Sequence, residues 1–257
     1  MNVEIILIGL VVGTLVGLTG VGGASIMTPL LVLLLKVNPL VAVGTDLLYS
    51  VPTKIYGAYL HNRQKTVDPD VVKALLIGGL PASLVGVVGL LWLRHHADIR
   101  AVESWTRHAI GFALFLAAAI ILIQPFLKRR LRAGDVPTWG QGARGRVILI
   151  GAMVGLIVTI TSIGSGSVTL PLLALVLPSF GIQQLVGSDI AFAAFLIPLA
   201  AAGRWTMGDV NLGLAANLLI GSLPGVYIGS KLCGRMSQTW LRPAVAVTLV
   251  FVGTRLI

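Results

Sequence analysis

Apolar stretches run along the whole chain, separated by short polar or glycine-containing breaks. They fall at about residues 3–18, 24–35, 39–60, 71–93 and 106–127, and again at about 147–161, 166–177, 184–203, 210–232 and 240–257. The hydrocarbon core of a bilayer is about 30 Å thick and takes about 20 apolar helical residues to span. The pattern therefore predicts an all-α polytopic membrane protein. Between the two groups lies a polar segment, Lys128 to Arg146, holding Lys128, Arg129, Arg130, Arg132, Arg144 and Arg146 together with Gly134, Pro137, Gly140, Gly142 and Gly145. It reads as a linker. The expected organisation is one membrane domain over residues 1–257, with repeats at 1–127 and 147–257 joined by a linker at 128–146.

Composition narrows this further. Hydrophobic residues make up 56% and charged residues 11% of the 257, against about 25% charged in an ordinary soluble domain. The mean hydropathy is +0.95. A soluble surface needs more charge than this, and a disordered chain would have less apolar surface to bury. The formal charge of +10 sits in short loops, so it reads as membrane topology rather than as a nucleic-acid surface. The single cysteine, Cys233, has no partner for an internal disulfide. The first apolar stretch lacks a basic leading region and runs into a motif that recurs later, so it is not read as a cleaved signal.

The two groups are copies. Thr19-Gly20-Val21-Gly22-Gly23-Ala24-Ser25, followed by Pro29, aligns with Thr161-Ser162-Ile163-Gly164-Ser165-Gly166-Ser167, followed by Pro171, at an offset of 142 residues. Gly44-Thr45-Asp46 aligns with Gly187-Ser188-Asp189 at an offset of 143, and Gly78-Gly79-Leu80-Pro81 aligns with Gly221-Ser222-Leu223-Pro224 at the same offset. Trp105 and Arg107 match Trp240 and Arg242. Biased composition does not keep Gly, Asp and Pro in one register over such a length.

The first two stretches of each half are short and are joined by a glycine turn. They are either two short crossings or a re-entrant hairpin with its tip inside the membrane. Each half then crosses five times or three. Both numbers are odd, which predicts inverted repeats about a twofold axis in the membrane plane. Cytoplasmic loops are enriched in Lys and Arg. That rule places the linker inside, with Arg63, Lys65, Lys231 and Arg235. Lys36, Arg94, Arg100, Arg107, Arg204, Arg255 and both termini fall outside.

The paired glycine turns are the first candidates for chemistry. Glycine lets a helix break and lets a ligand approach the main chain. A helix that restarts after the break offers free N–H groups and a positive dipole end, which together bind anions. Thr19, Ser25, Thr161, Ser162, Ser165 and Ser167 add hydroxyl donors without charge. Thr19, Gly20, Gly22, Gly23 and Ser25, with Thr161, Ser162, Gly164, Ser165, Gly166 and Ser167, are thus the expected substrate-binding residues. The competing account is close helix packing through small residues.

Asp46 and Asp189 lie inside apolar stretches, where a carboxylate is costly and is a functional candidate. Either one can carry a coupling proton. The alternative is helix capping, for which Ser, Thr and Asp are suited. Lys54 has no charged counterpart, since its matched position is Ile197. It can attract an anion, pair with a carboxylate or snorkel to the headgroups. Pro52 and Pro198 are expected to kink their helices. His61, His95, His96 and His108 show no metal-ligand spacing. Trp92, Trp105, Trp205 and Trp240 lie near stretch ends, as interfacial anchors do. Gly164-Ser165-Gly166-Ser167 superficially suggests a serine nucleophile, but no histidine lies deep in an apolar stretch to serve as its base. The chain has no nucleotide-binding motif, and the sequence calls for no cofactor and no metal.

These motifs resemble the TauE/SafE family, also called TSUP. The resemblance covers essentially the whole chain. It rests on Gly17-Leu18-Thr19-Gly20-Val21-Gly22-Gly23-Ala24-Ser25 with Pro29, on Val43-Gly44-Thr45-Asp46, on the basic linker, and on the second copies at Thr161–Pro171 and Val186–Asp189. It implies a bacterial or archaeal inner-membrane protein that exports small anions such as sulfite, sulfoacetate or related sulfonates, with the two motifs facing each other in the pathway. The second motif is richer in serine than the first, so the site is expected to be asymmetric. The expectation is a secondary transporter working by alternating access, with a passive anion channel as the alternative and a membrane-embedded hydrolase a distant third. Its partners are a small anion and the lipid bilayer. Assembly as a homo-oligomer is compatible with the sequence.

Overall fold

The computed structural model describes residues 3–19, 24–131, 140–233 and 238–257. Among the described residues it is all helical. The order is α1 (Val3–Thr19), α2 (Ala24–Leu33), α3 (Pro39–Arg63), α4 (Pro69–His96), α5 (Ile99–Leu131), α6 (Gln141–Thr161), α7 (Thr169–Val176), α8 (Ile182–Thr206), α9 (Leu212–Cys233) and α10 (Gln238–Leu256). Five of them, α4, α5, α6, α8 and α9, are long and apolar enough to cross a membrane.

The helices begin where capping residues stand. Asn38 accepts the Leu40 N–H at 2.9 Å with Pro39 at the first helical position of α3. Asp68 accepts from Asp70 and Val71 at 3.0 and 3.1 Å ahead of α4. Asn211 accepts the Leu214 N–H at 3.0 Å ahead of α9. Such caps satisfy N–H groups that have no partner within the helix. Several helices outrun their apolar stretches, because backbone bonding continues where hydrocarbon ends. α5 reaches Leu131 and α6 starts at Gln141, so both enter the span read as a linker and carry Arg144 and Arg146 into α6. Residues 132–139 of that linker lie outside the described residues.

The principal packing pairs are α1 with α9, α4 with α6, α3 with α8, and α5 with α10. Exchanging the two halves turns this set into itself. The contacts also fix directions. Gly9 lies against Leu218 and Gly13 against Ser222, so α1 runs alongside α9 in the same sense. Gly151 lies against Leu75 and Gly155 against Gly79, so α6 and α4 do likewise. Gly44 lies by Arg204 and Asp209 while Gly57 lies by Ile190, so α3 and α8 run antiparallel.

Two end faces follow from these directions. One, the termini face, gathers Asn38 and Glu103 (2.5 Å), Arg107 and the Arg255 carbonyl (3.3 Å), and Arg94 and Asp209 (2.7 Å). The other, the linker face, gathers Asp68 and Ser188 (2.9 Å) and the start of α6. α1 begins on the termini face, and α2 hands over to α3 on that same face. α6 begins on the linker face, and α7 hands over to α8 there.

Glycine has more work in these crossings than the sequence suggested. At Gly151 and Gly155 of α6 and Gly78 of α4, the partner backbone leaves no room for a Cβ; the same is true at Gly13 of α1 and Gly221 and Gly225 of α9. Packing through small residues draws helices together where hydrophobic burial supplies no drive. The sequence analysis singled out glycine at the two turns; these crossings use further glycines on α1, α4, α6 and α9. Trp92, Trp105 and Trp205 are exposed, and Trp240 lies outside the residues whose side chains are described.

Candidate functional site

α6 ends at Thr161 and α7 resumes at Thr169. The break is built from local chemistry. Ser162 takes a left-handed conformation (φ 64°), and Gly164 and Gly166 also have positive φ, at 149° and 89°. The Thr161 hydroxyl donates to the Ile157 carbonyl at 2.6 Å and accepts from the Ile163 N–H at 3.1 Å, closing the helix end. The Gly164 carbonyl then accepts from Val168 N, Thr169 N and the Thr169 hydroxyl at 2.9, 3.1 and 3.1 Å.

Of the N–H groups at this end of the break, those of Val168 and Thr169 already bond the Gly164 carbonyl. Asp189 also faces this end of α7, opposite the Gly166 N–H and the Thr169 hydroxyl. A carboxylate there answers the positive end of the helix. Side-chain donors also stand at the turn.

Lys54 is the first of these. From α3 its Nζ lies 3.1 Å from Ser165 Oγ, on the turn of the other half. Ser165 and Ser167 are buried, and Ser167 Oγ has no partner among the described residues. Asp46, also on α3 and fully buried, accepts from Ser162 at 2.6 Å and from Thr28 of α2 at 2.8 Å, both on Oδ2. Its Oδ1, like Asp189 Oδ1, has no partner among the described residues. Lys54 is close enough to interact with both carboxylates. Asp46 and Asp189 each lie within their helices rather than at the starts, which Asn38 and Gly181 occupy. Neither caps its own helix.

The Gly-Thr/Ser-Asp triplets acquire a second purpose. Gly44 lets the Asp209 carbonyl approach, and Thr45 Oγ accepts the Asn211 N–H at 3.0 Å. At matched positions, Gly187 lets the Thr66 carbonyl approach, and Ser188 Oγ accepts the Asp68 N–H at 2.9 Å. Each hydroxyl pins the interhelical loop of the opposite half, one residue before an aspartate of the site.

Of the predicted site residues, Ser162, Ser165, Asp46 and Lys54 come together, and Asp189 and Gly166 form an adjoining group with Thr169, which was not predicted. Thr161 is absorbed by the helix end. Ser25 is buried at the start of α2. Gly20, Gly22, Gly23 and the Thr19 side chain lie outside the described residues. His61 bonds the Thr66 hydroxyl at 2.8 Å, while the exposed His96 stacks on Trp92 and the exposed His108 meets the Ser104 carbonyl. His95 is exposed.

The sequence missed Arg204. It was taken for a loop charge, yet it is 1% exposed inside α8. Its Nη2 donates to the Thr159 and Ile160 carbonyls at 3.2 and 2.8 Å, and its Nη1 meets Asp209 at 3.4 Å. The signal was its register: its matched position in the first half is His61, another polar residue directly after an apolar run.

Comparison with known proteins places these features. The family model described as "Sulfite exporter TauE/SafE" matches residues 5–256. The chain is 44% identical to the "Probable membrane transporter protein YjnA" of Bacillus subtilis (strain 168), over all of both chains. It is 27% identical to the "Probable membrane transporter protein YdhB" of the same organism, over 98% of this chain and 99% of that one. No solved structure matches the chain.

Proposed function

The chain belongs to the TauE/SafE family and is a multi-pass membrane transporter; from that premise we propose that it exports small sulfur-containing anions, such as sulfite, sulfoacetate or related sulfonates, by proton-coupled alternating access. One observation carries the choice of an anion: Lys54 Nζ stands 3.1 Å from Ser165 Oγ, beside a break in a membrane helix. An ammonium and uncharged hydroxyls around a buried turn suit a compact oxyanion. Asp46 Oδ1 and Asp189 Oδ1, without a partner among the described residues, provide acceptors for a coupling proton.

The halves are inverted repeats in this proposal, and residues 1–257 form one domain in the cytoplasmic membrane with the linker at 128–146 inside. The antiparallel α3–α8 pair and the exchange of packing pairs between halves support the inversion. The α1–α2 and α6–α7 pairs are then re-entrant hairpins entering from opposite faces. Asp46 joins them, since it accepts from Thr28 of one and Ser162 of the other. The first glycine turn, with Thr19, Gly20, Gly22, Gly23 and Ser25, joins the binding site in this proposal by the duplication of the motif in the sequence.

Purified protein would be screened for thermal stabilisation by sulfite, sulfoacetate, sulfate, thiosulfate and a neutral control. Stabilisation by a sulfur oxyanion is expected, and none by any anion would overturn the site. Reconstituted vesicles with a pH gradient then separate the mechanisms. Uphill accumulation is the transporter's result; flux that only dissipates its own gradient is the channel's.

A further inference from the structure

Arg204, Asp209 and Arg94 form the most heavily buried charged group in the described structure that the proposed site does not use. They tie together four elements. Arg204 on α8 holds the Thr159 and Ile160 carbonyls in the last turn of α6, at 3.2 and 2.8 Å. These carbonyls stand just before the break, and Ser162 follows two residues later. The other arm of Arg204 meets Asp209 Oδ2 in the α8–α9 loop at 3.4 Å. Asp209 Oδ1 meets Arg94 Nη1 at the end of α4 at 2.7 Å. Arg94 is one-third exposed, whereas Arg204 and Asp209 are almost fully enclosed. A buried ion pair of this kind is a poor source of stability, and its better-attested use is to specify one arrangement over another.

The same loop is bound a second time. The Asp209 carbonyl packs on Gly44, and the Asn211 N–H donates to Thr45 at 3.0 Å. Thr45 adjoins Asp46, which accepts from Ser162 at 2.6 Å. The turn and the loop are thus joined by two routes, Asp46–Thr45 through α3 and Thr159/Ile160–Arg204 through α8. The linker face has the matched positions but no matched charges: His61 Nδ1 lies 2.8 Å from Thr66 Oγ1, where the other half has Arg204 and Asp209.

We propose that Arg204 is a positioning residue that couples the Ser162–Ser167 turn to an ionic closure of the termini face, and that opening that face separates Asp209 from Arg94. At the matched positions of the linker face, His61 and Thr66 form a hydrogen bond and, among the described residues, no ion pair. This rests on the transporter proposal for its purpose, but its test requires no substrate.

The test follows a buried position beneath the closure. Ala42 is fully buried and packs with Leu214 and Ala215 of α9. In a Cys233→Ser background, Ala42→Cys would be labelled with a maleimide in purified full-length protein. Arg94→Gln and Asp209→Asn are each expected to raise the labelling rate severalfold, and added salt to narrow the difference. Arg94→Lys keeps the charge and is expected to stay near the parent rate. Arg204→Lys keeps one arm and is expected to fall between. Should Asp209→Asn fail to fold, the partly exposed Arg94 pair of variants gives the same comparison. Equal labelling in Arg94→Gln and Arg94→Lys, or no increase in Arg94→Gln, would overturn the proposal. Loss of anion binding with labelling as expected would instead count against the substrate site alone.

Discussion

Thr45 of the first half accepts the Asn211 N–H of the second at 3.0 Å, and at matched positions Ser188 of the second accepts the Asp68 N–H of the first at 2.9 Å. Both hydroxyls are fully buried. A buried N–H left without its acceptor costs about 1–3 kcal/mol. Thr45→Val and Ser188→Ala are each expected to lower stability by about that amount. Thr45→Ser, which keeps the hydroxyl, is expected to melt close to the parent. Melting of the three variants in detergent checks this, and a Thr45→Val variant as stable as the parent would show that the loop finds another partner.

The glycine crossings give a sharper contrast. At Gly151 and Gly221, a Cβ has no space against the Leu75 and Ile6 carbonyls. Gly151→Ala and Gly221→Ala must therefore push α6 off α4, or α9 off α1, and loss of folded protein is expected from each. Gly89 and Gly142 have open space around the same position. There alanine is expected to be neutral, or to stabilise by up to about 1 kcal/mol through helix propensity. Expression and size-exclusion profiles of the four variants suffice. Equal behaviour across them would mean that these crossings are looser than the structure shows.

How much of this was legible beforehand depends on where the partner of each residue lies. The helical segments and the duplication were readable because hydropathy and register are local properties: Gly44-Thr45-Asp46 and Gly187-Ser188-Asp189 align on sight. The tasks of the triplets were not, because Asn211 and Asp68 stand 166 and 120 residues away from the hydroxyls they meet. The task of Gly151 is not visible in the sequence, because its partner, Leu75, is on another helix. Arg204 looked like a loop charge because it lies near the end of an apolar run, where a window average hides it. The Ser165 turn was found as a candidate, but its bond to Lys54 and the bonding of the Val168 and Thr169 N–H groups to Gly164 needed the fold.

Lys54 and Ser165 are expected to act on the anion rather than on the fold. A hydrogen bond to a charged group contributes about 1.5–3 kcal/mol, so Lys54→Met is expected to weaken sulfite binding roughly 10- to 100-fold. Lys54→Arg is expected to retain part of the affinity, and Ser165→Ala to weaken it roughly 10-fold, near the lower end of that range. Thermal stabilisation titrations on the purified variants report this directly. If Lys54→Met bound sulfite like the parent, the anion would sit elsewhere.

The two aspartates are expected to separate coupling from binding. Asp46 Oδ2 accepts two hydroxyls while its Oδ1 is free among the described residues. Asparagine keeps one oxygen acceptor for Ser162 and Thr28 but cannot take up a proton at neutral pH. If Asp46 is the coupling group, Asp46→Asn is expected to abolish uphill accumulation driven by a pH gradient while leaving anion exchange down a concentration gradient within a few-fold of the parent. Asp189 faces the Gly166 N–H and the Thr169 hydroxyl, so its replacement also disturbs the start of α7. Asp189→Asn is therefore expected to lower exchange as well as accumulation. Vesicle flux measured in both modes for both variants separates them. Accumulation that survives in both would remove the aspartates from the coupling step.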